Sequence, residues 1–373
     1  MAGGAQAAVL GAAALIVWFA ARNAVMNLGR LGINTGFGFL DRPAGFAISQ
    51  HLVDYDESST YLRALEAAIL NTCVLALVAI AGSTVIGFAI GIARRSSNGL
   101  LRALATGYVE LLRNVPLLLQ LFFWYFAILR PLPPPRQSLT LLGVIFLNGR
   151  GLVLPRPEAA AGFGLALAAL IVGVVLALAT VRWLRLRAAR VGIGSNPSLV
   201  GSALLIAPVL VVMIAVPPIT WDLPQLRGFN FVGGVTVLPE LVAMAVALSL
   251  YSAAYIAEIV RAGIDAVSRG QVEAARALGL KSPTINAKIV VPQALRVIVP
   301  PLGNEYLRVF RNTTLAAAIG YPDLTLVFAG TAVNQTAQAV EVMLIVCGCY
   351  LAINLAVSAA INGYNRRIAR SYR

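Results

Sequence analysis

The sequence has few of the residue types from which catalytic and metal centres are built. It contains one histidine, His51, and three cysteines, Cys73, Cys347 and Cys349, and all three cysteines lie inside apolar segments. This usage predicts neither a disulfide framework nor a metal site. The patterns G-x-x-x-x-G-K-[ST] and G-x-S-x-G are also missing, so the chain has neither a P-loop for ATP nor a nucleophile elbow. We therefore expect no enzyme activity in this chain, and any ATP-driven step needs a separate subunit.

Charged residues are also scarce, and long apolar runs take their place. Charged side chains make up 12% of the 373 residues, apolar side chains make up 59%, and the mean hydropathy is +0.82. This composition is typical of a protein that spans a lipid bilayer. The net charge of +14 lies on arginines that flank apolar segments, without a basic stripe interleaved with aromatic residues. The charge therefore indicates membrane topology and not nucleic-acid binding.

Eight apolar segments have the composition of membrane-spanning helices. Their approximate bounds are residues 5–20, 65–93, 104–129, 163–181, 199–216, 239–262, 293 to an irregular region near 311–314, and 341–364. Strand alternation and a repeat of fixed period are both missing, so the sequence predicts an all-α polytopic membrane protein. Gly82, Gly87 and Gly91 in the second segment predict close helix packing.

Arginines and lysines predict the orientation of these spans. The loops that we assign to the cytoplasm carry 17 of the 29 basic residues, and the loops on the opposite side carry 11. Because cytoplasmic loops are enriched in lysine and arginine, this excess favours both termini in the cytoplasm, as eight crossings require.

Three Glu–Arg pairs with a spacing of three residues lie in or beside the apolar segments. A spacing of three puts both side chains on one helix face, where their charges can neutralise each other. Glu110 with Arg113 and Glu258 with Arg261 lie near span ends, so we interpret them as structural intramembrane pairs.

The third pair, Glu305 with Arg308, lies deeper. Glu305 is twelve residues from the start of its span, or about 18 Å at 1.5 Å per residue, close to the middle of a bilayer about 30 Å thick. Pro300, Pro301 and Gly303 just before it predict a break in the helix, and a broken helix is tolerated where it lines a cavity. Charges at this depth typically mark a substrate path. We assign to that path Glu305, Arg308, Arg311, Asn312, Thr313 and Thr314.

Residues 271–292 form the longest polar run between two apolar blocks. The composition of its first half favours a helix, and Gly279 is placed to end that helix because glycine tolerates positive φ. Ser282 and Pro283 predict the N-cap and the first position of a second short helix. We therefore expect two short helices joined by a glycine turn in a cytoplasmic loop.

This loop resembles the EAA motif of the permeases of bacterial ABC importers. The matching residues are Glu273, Ala274, Ala275, Gly279 and Pro292. Two further stretches, Glu110–Phe126 and Pro300–Leu324, resemble those of the polar amino-acid permeases in that superfamily. The resemblance implies a type I, MetI-like core of five helices, to which an N-terminal helix and an inserted helix pair are added. These additions are similar to the larger permease of general L-amino-acid importers.

The resemblance also implies a division of the chain. Residues 1–64 would form an N-terminal transmembrane helix and a periplasmic segment, and residues 365–373 would form a cytoplasmic tail. Residues 65–364 would form the permease domain, with its core in 65–130 and 239–364 and its inserted segment and helix pair in 131–217.

What the resemblance implies about function is a transport subunit of the bacterial inner membrane. In that family the EAA loop docks on an ATP-binding subunit, which holds ATP and Mg, so this chain would need no cofactor. Its partners would be two copies of that ATPase, a second and different permease chain, a periplasmic amino-acid-binding protein and the lipid bilayer. Asn312 stands where many permeases for basic amino acids have an acidic residue, so we expect a broad range that includes neutral and acidic amino acids.

Two other classes stay open at this level. A secondary transporter driven by an ion gradient would use Glu258 or Glu305 as a proton carrier, and it predicts inverted repeats. A membrane channel or scaffold predicts transport or assembly without ATP. Neither class needs the loop around Glu273, so the loop argues against both.

Overall fold

The computed structural model describes residues 2–30, 36–160, 162–191, 197–217 and 219–370. The chain divides into two compact units. The first unit comprises Met1–Pro131 and Leu238–Arg373, and the second comprises Leu132–Val237.

The first unit begins with four helices. They are α1 (Ala2–Arg30), α2 (Tyr61–Ala93), α3 (Gly99–Asn114) and α4 (Leu117–Phe122), and α4 continues as a π-helical segment, Phe123–Leu129. Local capping explains two of the starts. The Thr60 side chain accepts a hydrogen bond from the Arg63 amide before α2, and the Asn98 side chain accepts from the Leu100 and Leu101 amides before α3.

Helices α3 and α4 show that the predicted span 104–129 is not one straight helix. The chain bends by 104° between them. Pro116 disfavours helical geometry at Val115, whose φ and ψ are −92° and 126°. The side-chain amide of Gln120 donates through Nε2 to the backbone carbonyls of Leu112 and Val115, both at 2.9 Å. These carbonyls at the break therefore have hydrogen-bond partners.

The second unit combines two helices with short antiparallel strands. Its elements are β1 (Leu139–Leu141), β2 (Ile145–Asn148), β3 (Gly151–Leu154), β4 (Arg156–Ala159), α5 (Phe163–Val191), α6 (Pro197–Ala215), β5 (Ile219–Asp222), β6 (Gln225–Arg227), β7 (Asn230–Val232) and β8 (Val235–Val237). The sheet orders are β1-β2-β3-β8, β4-β5 and β6-β7, and every pairing is antiparallel. These strands were not predicted, because segments of three or four residues are too short to show alternation.

The first unit resumes with six further helices. They are α7 (Pro239–Asp265), α8 (Arg269–Ala277), α9 (Ser282–Ile285), α10 (Val291–Asn312), α11 (Val333–Thr336) and α12 (Ala339–Arg370). Irregular helical turns connect several of them: Asn286–Val290 and Thr325–Ala332 are π-helical, and Thr313–Ile319 is a 3-10 helix.

The predicted break before Glu305 is wrong, because α10 runs through Pro300 and Pro301 without interruption. The fixed φ of proline is compatible with a helix, but each proline removes a hydrogen-bond donor and its ring crowds the carbonyl one turn earlier, so these residues weaken the helix without interrupting it. The predicted irregularity after Arg311 is present, since α10 ends at Asn312 and a 3-10 helix follows.

Helix α2 packs directly against α7 along glycine positions, as the sequence predicted. A Cβ atom added to Gly87 would lie 2.6 Å from Cβ of Ile256, and one added to Gly91 would lie 2.7 Å from Cβ of Val260. These distances are far shorter than a normal carbon contact of about 3.5–4.0 Å. Only glycine therefore fits this interface.

Residues 36–60, which precede α2, pack against helices of the first unit. Phe39 and Ile48 are buried in a cluster that also contains Phe328. The Asn71 side chain in α2 donates to the carbonyl of Gln50 at 2.6 Å and to that of Pro322 at 2.9 Å. One buried amide therefore joins three separate segments.

The predominantly helical membrane-protein fold predicted from the sequence is confirmed. Within the described ranges, α2, α7 and α12 and the first 22 residues of α5 are long and apolar enough to cross a membrane, and the bent pair of α3 and α4 makes a fifth crossing if it is one span. In α6 the stretch Ser202–Met213 is apolar but shorter than these spans. The number of about eight spans stays a prediction.

The contact between α2 and α7 predicts opposite effects of the same substitution at two glycines. Gly87→Ala should destabilise the protein by about 1–3 kcal/mol through overpacking. Gly107→Ala should be neutral or stabilising by up to about 1 kcal/mol, because alanine is the better helix former and nothing lies within 4 Å of a Cβ at that position of α3. Thermal unfolding of the detergent-solubilised variants measures both. A Gly87→Ala variant as stable as Gly107→Ala would contradict the close contact.

Candidate functional site

A cavity of about 320 Å³ lies between α3, α7 and α10 in the first unit. The residues that line it are Arg113, Tyr255, Glu258, Ile259, Pro301, Asn304, Glu305, Arg308 and Arg311. Its volume is at the lower end of the range for small-molecule sites, about 300–1,000 Å³. Five of its nine lining residues are charged in a region that is otherwise apolar, so the cavity suits a small polar molecule.

Glu305 is the most deeply buried charged group in the cavity wall. Its exposed fraction is 4%, and its Oε2 atom accepts a hydrogen bond from the Arg308 guanidinium. Its Oε1 atom is buried and has no hydrogen-bond partner in the part of the chain that the structure describes. An unpaired buried acceptor costs free energy, and the Ser252 hydroxyl of α7 also interacts with this carboxylate.

Tyr255 of α7 holds two guanidinium groups at the cavity. The Cζ atom of Arg308 lies 3.6 Å from the centre of the Tyr255 ring, and that of Arg113 lies 5.1 Å from it. The negative face of an aromatic ring attracts such cations. The Tyr255 hydroxyl also lies 3.1 Å from that of Tyr251, one helical turn earlier. We did not predict Tyr255, because an aromatic residue in an apolar helix is most often part of the core.

The predicted pair of Glu110 and Arg113 does not form. Glu110 is exposed, and no carboxylate lies within ion-pair distance of Arg113 among residues 36–160 or the other described ranges. Arg113 lies in the last turn of α3, where that helix contacts α7, and its guanidinium is directed to Tyr255. The stacking contact therefore replaces the expected ion pair.

The predicted pair of Glu258 and Arg261 forms, but it is part of a longer chain of charges. Glu258 accepts hydrogen bonds from both Arg261 and Arg94. Arg261 also contacts Asp265 at 2.8 Å, and Asp265 pairs in turn with Arg95. Glu258 and Arg94 are 164 positions apart in the sequence, which is why spacing alone could not reveal this link between α2 and α7.

Of the four path residues predicted after Arg308, only Arg311 lines the cavity; Asn312, Thr313 and Thr314 do not. The Thr313 hydroxyl donates to the carbonyl of Phe310 at 2.8 Å, and the Thr314 hydroxyl donates to that of Arg311 at 2.9 Å. Threonine commonly makes such bonds to the preceding turn. Neither hydroxyl proton is directed to the cavity in this conformation.

The polar loop has the predicted glycine turn. Gly279 has φ of 75°, in the left-handed region, directly after α8. The Leu280 amide donates to the carbonyl of Ala275 at 3.1 Å, and the Gly279 amide donates to that of Arg276 at 2.9 Å. These two bonds define a Schellman motif, which requires a positive φ and therefore favours glycine.

The second loop helix differs in detail from the prediction. Lys281, not Ser282, is the N-cap residue of α9, and Pro283 lies in the first turn as expected. The helix does not end inside the loop, because α9 continues through a π-helical segment into α10, where Pro292 lies in the first turn.

The matched residues of the loop differ in exposure. Ala275 of α8 and Ile285 of α9 are buried, at 3% and 2% exposure, and they hold the two short helices together. Glu273 and Ala274 point to the outside, and Leu278 is 80% exposed.

The comparisons with known proteins agree with this architecture. A family model described as "Binding-protein-dependent transport system inner membrane component" matches residues 195–370. The chain is 46% identical over 363 residues to the putative amino-acid ABC transporter permease protein YhdX of Escherichia coli (strain K12), with coverage of 97% of this chain and 92% of that protein. It is 43% identical over 354 residues to the general L-amino acid transport system permease protein AapQ of Rhizobium johnstonii, with coverage of 95% and 88%.

A solved structure also matches the fold. It is the crystal structure of an amino acid ABC transporter with histidines, and the match covers 82% of this chain and 95% of that one with a TM-score of 0.50. The sequence identity is 21%, so this similarity concerns the fold alone.

Proposed function

Because this chain belongs to the family of inner-membrane permeases of binding-protein-dependent ABC transporters, we propose that it carries polar L-amino acids across the bacterial inner membrane as one permease of an importer. The resemblance predicted from the three sequence motifs is confirmed by the identity of 46% over 97% of the chain. The chain is a transport subunit, and ATP hydrolysis belongs to a separate subunit. The ion-gradient alternative has no support among these relatives, which are ABC permeases.

The observation that supports an amino-acid path is the pairing of opposite charges around one cavity. An amino acid carries an ammonium and a carboxylate, and both need partners away from water. The Glu305 carboxylate, which lines the cavity, can accept from the ammonium, and the guanidinium of Arg308 or Arg311 can donate to the carboxylate. Such a site must bind weakly, because the substrate leaves in every transport cycle.

The substrate range is proposed to be broad. Asn312, which lacks the negative charge found in many permeases for basic amino acids, lies just past the cavity. Without that carboxylate, nothing at this position attracts a cationic side chain. Neutral and acidic amino acids are therefore included in the proposed range.

The loop of α8 and α9 is the proposed contact with the ATPase. Its exposed face carries Glu273, Ala274 and Leu278, and its turn at Gly279 fixes the angle between the two short helices. From Ser282 to Asn312 the backbone is helical without a non-helical break. A displacement of the loop would therefore be carried directly to the cavity residues on α10.

The remaining partners follow from family membership and are part of the proposal. They are two copies of the ATPase, which hold ATP and Mg, a second and different permease chain, and a periplasmic amino-acid-binding protein. Both termini are placed in the cytoplasm, on the side of the ATPase. The division into a core at 65–130 and 239–364 with an insertion at 131–217 belongs to the same proposal.

The turn at Gly279 predicts a coupling defect. Gly279→Val would put a β-branched residue at a φ of 75°, which costs about 1–2 kcal/mol in that region, and would misplace α8 against the ATPase. We expect uptake to fall relative to ATP hydrolysis in the reconstituted importer. Gly270→Val is the matched control, because Gly270 lies in α8 without a positive φ and a Cβ there would meet only Ser268 Oγ, at an ordinary contact distance of 3.8 Å. Normal substrate-stimulated ATPase and uptake in Gly279→Val would sink this mechanism.

The ion pair of Glu305 and Arg308 predicts a change in substrate profile. Arg308→Ala should lower uptake because the substrate carboxylate loses a charged donor, which is worth about 1.5–3 kcal/mol, or roughly ten-fold or more. The charge-swapped pair Glu305→Arg with Arg308→Glu should alter the relative uptake of acidic, neutral and basic amino acids. Uptake of the three classes into proteoliposomes measures the profile.

The control for the swap is another pair with the same spacing. Arg63 and Glu66 form an exposed ion pair in α2, away from the cavity, so their exchange should leave the profile unchanged. If the Glu305–Arg308 swap restores expression and transports every class as the wild type does, the pair is structural and does not belong to the path.

A further inference from the structure

We propose that Arg113 is a specificity-determining residue that makes this cavity favour amino acids with an acidic side chain and disfavour those with a basic one. This inference rests on the proposed function and names the substrate class that the same cavity prefers. It also reverses the sequence-based interpretation of Arg113 as one half of a structural pair with Glu110.

The charges that line the cavity do not balance. Glu258 is already bonded to Arg94 and Arg261, which are not part of the lining. Glu305 is bonded to Arg308.

Two cationic groups of the lining are left without an ion pair. Arg113 and Arg311 have no carboxylate within 4 Å in the described part of the chain. The cavity therefore presents an excess of positive charge to whatever enters it.

The positions of the free groups fit a dicarboxylic amino acid. Arg113 and Arg308 both lie against the Tyr255 ring, at 5.1 and 3.6 Å from its centre, so their Cζ atoms are less than about 9 Å apart. Glu305 and Arg308 both line the cavity, next to Arg113. Glu305 then receives the ammonium, Arg308 receives the α-carboxylate, and Arg113 receives the side-chain carboxylate.

The same arrangement separates three kinds of substrate. A carboxylate side chain makes a charge-assisted bond to Arg113, which is roughly twice as strong as a bond between neutral groups. An amide side chain can accept a hydrogen bond through its carbonyl oxygen, but it lacks the charge. A basic side chain brings a like charge next to Arg113 and Arg311, which disfavours it. The expected order at this step is acidic, then amide, then basic.

The test uses the complete importer, with its ATPase and binding protein, in proteoliposomes. Saturating binding protein is loaded separately with glutamate, glutamine or arginine, so that the affinity of the binding protein does not set the result. Arg113→Gln is expected to lower the ratio of glutamate to glutamine uptake about ten-fold, with glutamine uptake little changed. Glu110→Gln is the matched control, because Glu110 lies one turn earlier in α3 and outside the cavity lining, and its ratio should equal that of the wild type.

A second variant covers the case in which Arg113→Gln does not assemble. Arg113→Lys keeps the charge but loses the planar fork of donors, so its ratio of glutamate to glutamine uptake should fall below that of the wild type, by less than about ten-fold. An unchanged ratio in any assembled variant at this position overturns the inference, as does a wild-type importer that transports arginine as fast as glutamate. A wild-type complex that transports no amino acid overturns the proposed function itself, so the two failures are distinguishable.

Discussion

The close contact between α2 and α7 is the constraint on which the rest of the first unit depends. Gly87 and Gly91 remove the side chains that would keep the two helices apart, and Ile256 and Val260 of α7 fill the space. Helix α7 then packs on its other sides against α3 and α10. Because Tyr255 and Glu258 are on that helix, its fixed position determines where the cavity lies and which charges meet there.

Charged residues are tolerated inside these apolar helices because nearly every one has a partner. Arg308 has the Tyr255 ring on one side and the Glu305 carboxylate on another, and Glu258 has two arginines. Such compensation offsets much of the cost of removing a charge from water. Where it is incomplete, at Arg113 and Arg311, which have no ion pair among the described residues, the guanidinium side chains line a cavity large enough for a small molecule.

A continuous helical backbone connects the second helix of the loop to the cavity. The Schellman motif at Gly279 ends α8 abruptly, and the helical backbone that begins at Ser282 extends to Asn312 through the residues of the cavity wall. Pro300 and Pro301 weaken this helix locally without breaking it. A helix that is continuous but lacks some of its hydrogen bonds can bend at that place, and the proposed coupling of the loop to the cavity depends on this helix.

Features with local causes could be predicted from the order of the amino acids alone. The apolar helices, the turn at Gly279 and the pairing of Glu305 with Arg308 depend on neighbours a few positions away, and composition and spacing report such neighbours directly. The partners of several charged side chains depend instead on tertiary packing. Arg113 contacts the Tyr255 ring on another helix and not Glu110. Arg94 forms an ion pair with Glu258, which is 164 residues away in the sequence. A side chain as long as arginine selects its partner among all the groups that packing brings within reach, and only the folded arrangement of helices defines that set.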